Sequence, residues 1–333
     1  MDPLPVPKPL TTSQSVAERS ADPGREPPGC PLCGRAAPAL TREYDARRLV
    51  ADWREALGVD AAGDMPPGPV VSLWSCRSCG LAFYHPAKAG SGAFYAQLQA
   101  RLPYYPGDKW ELRAAVDDVR ALGLGLGRGA RVLEVGCGDG SLLKRLESVG
   151  VNARGIEINP DAVAAARARG LDVRCASPEQ LLPECSGGFD AVLAFQVLEH
   201  VPEPRVFLEQ CAALLSSAPG SRLILGVPNA DGWFKHLNDP LDLPPHHMTR
   251  WGRRAMVGAA ELLGLRVERL EVEPLTDAYA GHWAAGVVGR LTGRLIDITK
   301  PPGLAARVLS KGARTLRLGR VLPGHTLYAC LTR

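Results

Sequence analysis

The hydrophobic pattern of the chain changes near residue 130, where short apolar runs begin to alternate with stretches of helical periodicity. Alternation of this kind is typical of a mainly parallel sheet covered on both faces. The predicted strands are Arg131–Val135, Ala153–Ile158, Asp172–Cys175, Asp190–Phe195, Arg222–Val227, Leu265–Val272 and Thr326–Leu331. The predicted helices include one through Leu142, Leu143 and Leu146, and those over Pro160–Arg169, Pro204–Leu215 and Arg253–Leu263.

The remaining sequence predicts further units around this α/β region. Residues 1–29 are rich in proline and poor in large apolar groups, which predicts a disordered tail. We expect a small cysteine-bracketed module over 30–86, a helical connector over 87–128 and the α/β domain over 129–333. Within that domain, residues 284–320 are predicted to form a helical insertion before the last strand.

Composition narrows the class of protein. Hydrophobic residues make up 46% of the 333, enough for a large buried core. The formal charge is +4, which by itself does not indicate a nucleic-acid partner. The sequence holds no apolar stretch long enough to span a bilayer, and its first residues lack the pattern of a secretory signal. We therefore expect a cytoplasmic protein with reduced cysteines.

Three closely spaced glycines follow the first predicted strand of the α/β domain. Gly136, Gly138 and Gly140 separate that strand from a helix, and a glycine turn at this point lets a ligand approach the backbone. The dinucleotide-binding pattern GxGxxG would require glycine at position 141, where the sequence has Ser141. Glu157 ends the next strand, where a carboxylate can accept hydrogen bonds from both hydroxyls of a ribose.

This GxGxG spacing, with Glu134 before it, resembles the class I S-adenosylmethionine-dependent methyltransferase family. The run Phe189–Val201, with its Leu-Glu-His-Val ending, resembles the fourth-strand motif of that family. The resemblance implies a Rossmann-like sheet of seven mainly parallel strands, with Glu134 near the methionine amino group and Glu157 on the ribose. Ser177 departs from the family's frequent Asp beside the adenine. The cofactor contacts that the resemblance implies are Tyr105, Glu134, Gly136, Gly138, Gly140, Glu157, Ser177, Phe195 and Gln196.

Two CxxC pairs lie in the N-terminal module, Cys30 with Cys33 and Cys76 with Cys79. Two such turns can complete a tetrahedral four-thiolate zinc site, which is structural because no coordination position stays open. With this zinc-ribbon-like head, the chain is similar to a group of bacterial sugar and small-molecule methyltransferases. A group of ribosomal RNA methyltransferases also carries a zinc head, so RNA methylation or RNA binding is the alternative.

Methyl transfer to a hydroxyl requires alignment of the acceptor and removal of its proton, a task suited to histidine. His200 follows the fourth strand, and His246 and His247 lie in the loop after the fifth. Our hypothesis is that one of the three is the general base for O-methylation of a small molecule or glycan precursor. Each could instead have a structural role. Some relatives bind a divalent metal near Glu199-His200, but Gln196 stands where those carry another acid.

The predicted insertion is strongly basic, with eight Lys or Arg residues against the single acid Asp297. Interleaved apolar residues predict amphipathic helices over 284–320. A solvated helix face is the ordinary interpretation of such a pattern. The alternative is a lid or a docking surface for an anionic acceptor, including weak contact with a membrane surface.

Overall fold

The computed structural model describes residues 28–102, 109–126, 129–298 and 302–333. The predicted tail over 1–29 lies almost entirely outside these ranges, and so does Tyr105. The strands are β1 (Ala39–Asp45), β2 (Val70–Ser75), β3 (Ala82–His85), β4 (Val132–Val135), β5 (Ala153–Glu157), β6 (Val173–Cys175), β7 (Ala191–Phe195), β8 (Arg222–Pro228), β9 (Leu237–Asn238), β10 (Thr249–Arg250), β11 (Arg266–Pro274), β12 (Ile296–Asp297) and β13 (Pro323–Thr332). The α-helices are α1 (Ala46–Leu57), α2 (Gly92–Gln99), α3 (Trp110–Leu126), α4 (Ser141–Ser148), α5 (Pro160–Ala168), α6 (Pro178–Cys185), α7 (Pro204–Leu214), α8 (Arg253–Leu262), α9 (Ala280–Thr292) and α10 (Leu304–Thr315).

Seven strands form the main sheet, in the order β11-β13-β8-β7-β4-β5-β6. Strand β13 is antiparallel to both of its neighbours, and the other pairings are parallel. All seven are the strands that the hydrophobic pattern predicts, with ends shifted by at most three residues. The predicted fold class, an α/β Rossmann-like fold with a mainly parallel seven-stranded sheet, is therefore confirmed.

Both faces of this sheet are covered, because successive side chains of a strand point to opposite sides. On β7, Val192 belongs to a hydrophobic cluster that contains Leu208 of α7 and Met256 of α8. Leu193, the next residue, belongs to a second cluster with Leu112 of α3. The apolar run Ala191–Phe195 is buried along its whole length, as expected for a central strand.

The N-terminal module is a four-stranded sheet in the order β1-β2-β3-β10. Its fourth strand comes from the loop after β8, and Thr249 and Arg250 pair antiparallel with Phe83 and Ala82 of β3. Leu81, beside the second CxxC turn, lies in the same hydrophobic cluster as residues of the main sheet. The module and the α/β domain are thus joined by a shared sheet and a shared core.

Helices α9 and α10 lie between β11 and β13, in the region predicted as an insertion. Strand β12, between the two helices, pairs in parallel with β9 from the loop after β8. Trp233 and Phe234, just before β9, share a hydrophobic cluster with Ala284 and Ala285 of α9. None of the helices in the described ranges is long and apolar enough to cross a membrane.

Candidate active site

The three glycines after β4 have the backbone conformation that their spacing predicts. Gly136, Gly138 and Gly140 have φ angles of 69°, 54° and 78°, in the left-handed region where a Cβ is costly. A Cβ at Gly136 would lie 2.4 Å from Cγ2 of Val197. At this turn the fold therefore requires glycine for both its backbone angles and its space.

Glu157, at the end of β5, closes this turn from the neighbouring strand. Its Oε2 accepts a hydrogen bond from the backbone N–H of Gly138 at 3.0 Å, and its Oε1 accepts one from Asn159 at 2.9 Å. The side chain is buried, and it lines the same cavity as Gly136 and Gly138. The carboxylate is thus held at a fixed position beside the turn, where it can also accept hydrogen bonds from a ribose diol.

Glu134 offers a buried carboxyl group on the other side of the turn. The residue is 5% exposed, and its Oε2 has no hydrogen-bond partner in the described part of the chain. Burial raises the pKa of this carboxyl well above its usual range, and the nearby Glu157 and Asp139 raise it further. An incoming ammonium group would give this orphaned oxygen a partner, so the residue fits the amino end of a bound S-adenosylmethionine.

Three further predicted cofactor contacts line the same cavity. The Ser177 hydroxyl accepts from the backbone of Gln180 in a capping box at the start of α6. Phe195 is buried and stacks on Tyr328, with ring centroids 6.2 Å apart. Gln196 has a φ of 55°, an uncommon value for a residue other than glycine, and it sits where β7 ends at the cavity.

The cavity continues from the glycine turn to the three candidate histidines. Its volume is about 1430 Å³, which exceeds the 300–1,000 Å³ of ordinary small-molecule pockets. Glu134, Glu157, His200, His246 and His247 all line it. The structure thus brings the predicted cofactor residues and the predicted catalytic residues together around one space large enough for two ligands.

The three histidines form a compact cluster. One ring nitrogen of each lies within 4.8 Å of the others, and the rings of His246 and His247 stack at 4.6 Å. His200 Nδ1–H donates to the carbonyl oxygen of His246, and His246 Nδ1–H donates to that of Leu241, both at 2.7 Å. His247 differs, because its Nδ1–H points to a carboxylate, Asp242 Oδ1, at 3.2 Å.

Burial keeps these histidines in the neutral form near pH 7. It lowers the pKa of His200 from 6.5 to about 4, and it lowers the pKa of His246 and of His247 well below 6.5. Mutual repulsion between the rings of the cluster lowers the latter two further. Burial has the opposite effect on the acid Glu199, whose pKa rises to about 8. A neutral imidazole is the form that accepts a proton or binds a metal ion.

Asp242 anchors His247 within a buried network. Its Oδ2 accepts from Nη2 of Arg250 at 2.7 Å, and its backbone carbonyl accepts from the hydroxyl of Tyr84 at 3.0 Å. The guanidinium of Arg250 lies 5.4 Å above the ring of Tyr84. Tyr84 belongs to β3, so the N-terminal module contacts the backbone of the residue that orients His247.

Sequence reasoning missed several residues of this half of the cavity. They include Tyr95, whose hydroxyl lies 3.3 Å from His200 Nδ1, and Tyr279, which stacks on His325 at 5.0 Å. Asp242 was missed as well, because Tyr84 contacts it from a distant part of the chain and no motif marks its contacts with His247 and Arg250. One signal was available: five of the seven histidines line the cavity, and two of those five, His282 and His325, were not singled out.

The four predicted metal-binding cysteines form a separate cluster. Their sulfur atoms lie within 4.8 Å of one another. Sγ of Cys30 is 3.6 Å from Sγ of Cys79, and Sγ of Cys33 is 3.5 Å from Sγ of Cys76. A tetrahedral zinc ion with Zn–S bonds of about 2.3 Å requires sulfur atoms about 3.8 Å apart, so the four thiols fit a structural zinc ion.

Comparison with known proteins bears on the α/β domain. A family model described as a methyltransferase domain matches residues 108–270. The ubiquinone biosynthesis O-methyltransferase of Xanthomonas oryzae pv. oryzae is 42% identical over 107 residues, which cover 30% of this chain and 44% of that protein. The protein of the same name from Xanthomonas campestris pv. campestris is 41% identical over 107 residues. The chain thus spans less than half the length of these relatives.

Solved structures of similar fold include two methyltransferases. An S-adenosylmethionine-dependent enzyme from Archaeoglobus fulgidus is 20% identical with a TM-score of 0.44, covering 66% of this chain and 93% of that one. Another, from Mesorhizobium loti, is 18% identical with a TM-score of 0.45, covering 68% and 100%. These likenesses do not bear on substrate or mechanism. The sheet order and the glycine turn show an α/β Rossmann-like fold, and residues 108–270 of this fold match the family model described as a methyltransferase domain.

Proposed function

We propose that this chain is an S-adenosylmethionine-dependent methyltransferase that O-methylates a small molecule or glycan precursor, with a histidine as the general base. The observation that carries the proposal is the single cavity lined by both the glycine turn and the histidine cluster. The curated relatives named O-methyltransferases support a hydroxyl group as the acceptor. A cytoplasmic location, as expected from the sequence, belongs to the same proposal.

The residues beside the turn fit the methyl donor, whose sulfonium would supply an activated methyl group. Glu157, already fixed by two backbone N–H groups, would accept hydrogen bonds from the ribose hydroxyls. Glu134 would receive the ammonium group of the methionine part at its unpartnered oxygen. Gly136 has no room for a side chain, because a Cβ would lie 2.4 Å from Cγ2 of Val197. Phe195 and Gln196 would border the reacting end.

The reaction proposed for this site is an in-line displacement. The acceptor oxygen forms a bond to the methyl carbon while the carbon–sulfur bond breaks, and the electron pair of that bond stays on sulfur. The hydroxyl proton passes to a neutral imidazole of the cluster, so charge and atoms balance. A buried histidine is neutral at neutral pH and is therefore in the form that can accept this proton.

His247 is the member of the cluster that the contacts favour as the base. With Nδ1–H donated to Asp242, the other ring nitrogen, Nε2, carries the lone pair that accepts a proton. The carboxylate also stabilises the imidazolium that forms, whereas His200 and His246 donate to neutral carbonyl oxygens. We therefore propose His247 as the general base and Asp242 as its positioning residue.

We further propose that Cys30, Cys33, Cys76 and Cys79 hold one structural zinc ion. The ion would tie together the two ends of the chain segment that contains β1, α1 and β2. Trp53 of α1 donates from Nε1 to the carbonyl of Pro244, next to the histidine pair. Zinc would therefore act on the acceptor side of the cavity through the fold of the module, without touching the reacting groups.

The proposed function is tested by a donor-consumption screen with a methyl-labelled donor. Catechols and phenols, sugar nucleotides and short RNAs are the acceptors, and mass spectrometry of the product locates the label. The proposal predicts label on the oxygen of a small molecule, with none transferred by Glu157→Ala. Label on RNA alone would contradict it and would favour the zinc-headed RNA methyltransferase predicted as the alternative.

A further inference from the structure

The helices α9 and α10 present an unusual outer surface. Their inner sides contribute Ala284, Ala285 and Ala306 to a common hydrophobic cluster, and Ser310 and Ala313 of α10 are also buried. The outer residues are exposed. We call this set the α9–α10 outer face: Arg290, Leu291, Arg294, Leu304, Arg307, Val308, Lys311, Arg314, Leu316, Arg317 and Val321.

Large apolar side chains are concentrated on this face. Among the described residues, eleven large hydrophobic side chains are exposed, and five of them fall between positions 291 and 321. Leu304 and Val308, one turn apart on α10, are 72% and 62% exposed. Single exposed apolar residues are common, whereas a concentration of this kind is typical of an interaction surface.

The charge of the same segment is equally concentrated. Residues 280–322 contain eight of the 39 basic residues of the chain and one of its 35 acidic residues, a net charge of +7. The rest of the chain has a net charge of −3 on the same count. On α10, Arg307 and Lys311 alternate with Leu304 and Val308 along the exposed side. Basic and apolar side chains mixed on one helix face complement an anionic lipid surface.

The segment that carries this face also forms part of the cavity wall. Tyr279, which directly precedes α9, His282 on α9 and Ile298 after β12 all line the cavity. Contact of the outer face with a bilayer would therefore bring the acceptor end of the cavity close to the lipid.

We propose that the α9–α10 outer face docks on an anionic phospholipid surface, from which an amphiphilic acceptor enters the cavity. The docking itself stands on the exposed residues of this face. The entry of an amphiphilic acceptor from that surface rests on the proposed function.

The test is sedimentation of the full chain with vesicles of phosphatidylcholine, alone or mixed with phosphatidylglycerol. We expect binding to the mixed vesicles only, and weaker binding as salt is raised. Leu304→Glu/Val308→Glu and Arg307→Glu/Lys311→Glu should each weaken binding at least about ten-fold. The matched controls Leu124→Glu/Val149→Glu and Arg47→Glu/Arg120→Glu change exposed residues elsewhere and should bind like the wild type.

Circular dichroism verifies that each variant is folded, and a labelled single-stranded RNA is tested in parallel. Absence of binding to anionic vesicles by the wild type, or equal losses in variants and controls, would overturn the proposal. RNA binding that replaces vesicle binding and is lost in the same variants would also overturn it. Calorimetry with the methyl donor on the same samples keeps the two proposals separate, since vesicle binding needs no donor and donor binding needs no vesicle.

Discussion

The two halves of the cavity are built in different ways. The cofactor half uses neighbours in sequence or on adjacent strands: Glu157 reaches Gly138 across 19 positions. In the acceptor half, Trp53 bonds to Pro244 across 191 positions, and Tyr84 bonds to Asp242 across 158. The comparison teaches that the proposed donor site is encoded by a local motif, whereas the proposed acceptor side depends on contacts with the N-terminal module.

The largest expected effect is on the proposed base. His247→Gln should lower the turnover number about 10²-fold to 10⁴-fold, since the imidazole that Asp242 orients as the base is lost. The donor dissociation constant should stay unchanged, because the residue lies in the acceptor half. Steady-state kinetics on the acceptor found in the screen, with calorimetry, measure both quantities.

Asp242→Asn should lower turnover in the same direction but less, and it should shift the acidic limb of the pH–rate profile. His236→Gln, a histidine that does not line the cavity, is the matched control and should behave as the wild type. Equal losses at His236 and His247, or full activity of His247→Gln, would refute the assignment of the base.

The zinc site offers the next largest effect. Cys76→Ser should remove one zinc ion per chain and lower the free energy of unfolding by about 4 kcal/mol, as expected for loss of a structural metal. Metal analysis and urea unfolding measure the two changes. Cys175→Ser, at an exposed cysteine, should leave both unchanged. A wild-type protein purified without metal, and as stable as Cys76→Ser, would contradict the assignment.

A smaller effect is expected in the cofactor half. It distinguishes the collision of a side chain at Gly136 from the cost of the left-handed backbone conformation alone. Gly136→Ala should weaken donor binding at least about ten-fold, because its Cβ would collide with Val197 at 2.4 Å in addition to the cost of the left-handed conformation. Gly150 also has a positive φ, of 80°, but a Cβ at this position would meet open space. Gly150→Ala should therefore cost only about 1 kcal/mol of stability. The donor affinity of Gly150→Ala should match that of the wild type. A similar loss of donor affinity in both variants would contradict a specific role for the collision with Val197.

A further effect is a pH dependence in the acceptor half. The ordinary pKa of a Glu carboxyl is 4.5, and burial raises the pKa of Glu199 to about 8 in the folded chain. Between pH 4.5 and pH 8 the carboxyl is therefore protonated in the folded chain and ionised in the unfolded chain. Stability should therefore fall as pH rises from 4.5 to 8, by up to about 1.4 kcal/mol per pH unit. Glu199→Gln mimics the protonated acid and should lose this dependence.

Urea unfolding at several pH values between 5.5 and 7.5 compares that variant with the wild type. The buried histidines act in the opposite direction, since protonation below 6.5 favours the unfolded chain. Their contribution cancels in the difference between the two proteins. A difference that stays constant with pH would mean that the Glu199 carboxyl ionises normally.

How well the sequence predicts each half of the cavity depends on whether that half is built from local or from distant residues. The apolar run Ala191–Phe195 and the glycines at 136, 138 and 140 carry their structural meaning in local pattern, so the sheet and the turn could be predicted. Strand β10 is two residues long and has no periodicity to reveal it. The role of Asp242 arises from Tyr84 and Arg250, and no spacing rule links those positions. The domain boundaries and the catalytic and metal-binding roles remain predictions.

The central claim is that the glycine turn and Glu157 bind S-adenosylmethionine, and isothermal titration calorimetry tests it most directly. The account predicts saturable binding of the donor and of its demethylated product at one site per chain, with binding lost in Glu157→Ala. A folded wild-type protein that takes up neither nucleoside would contradict it.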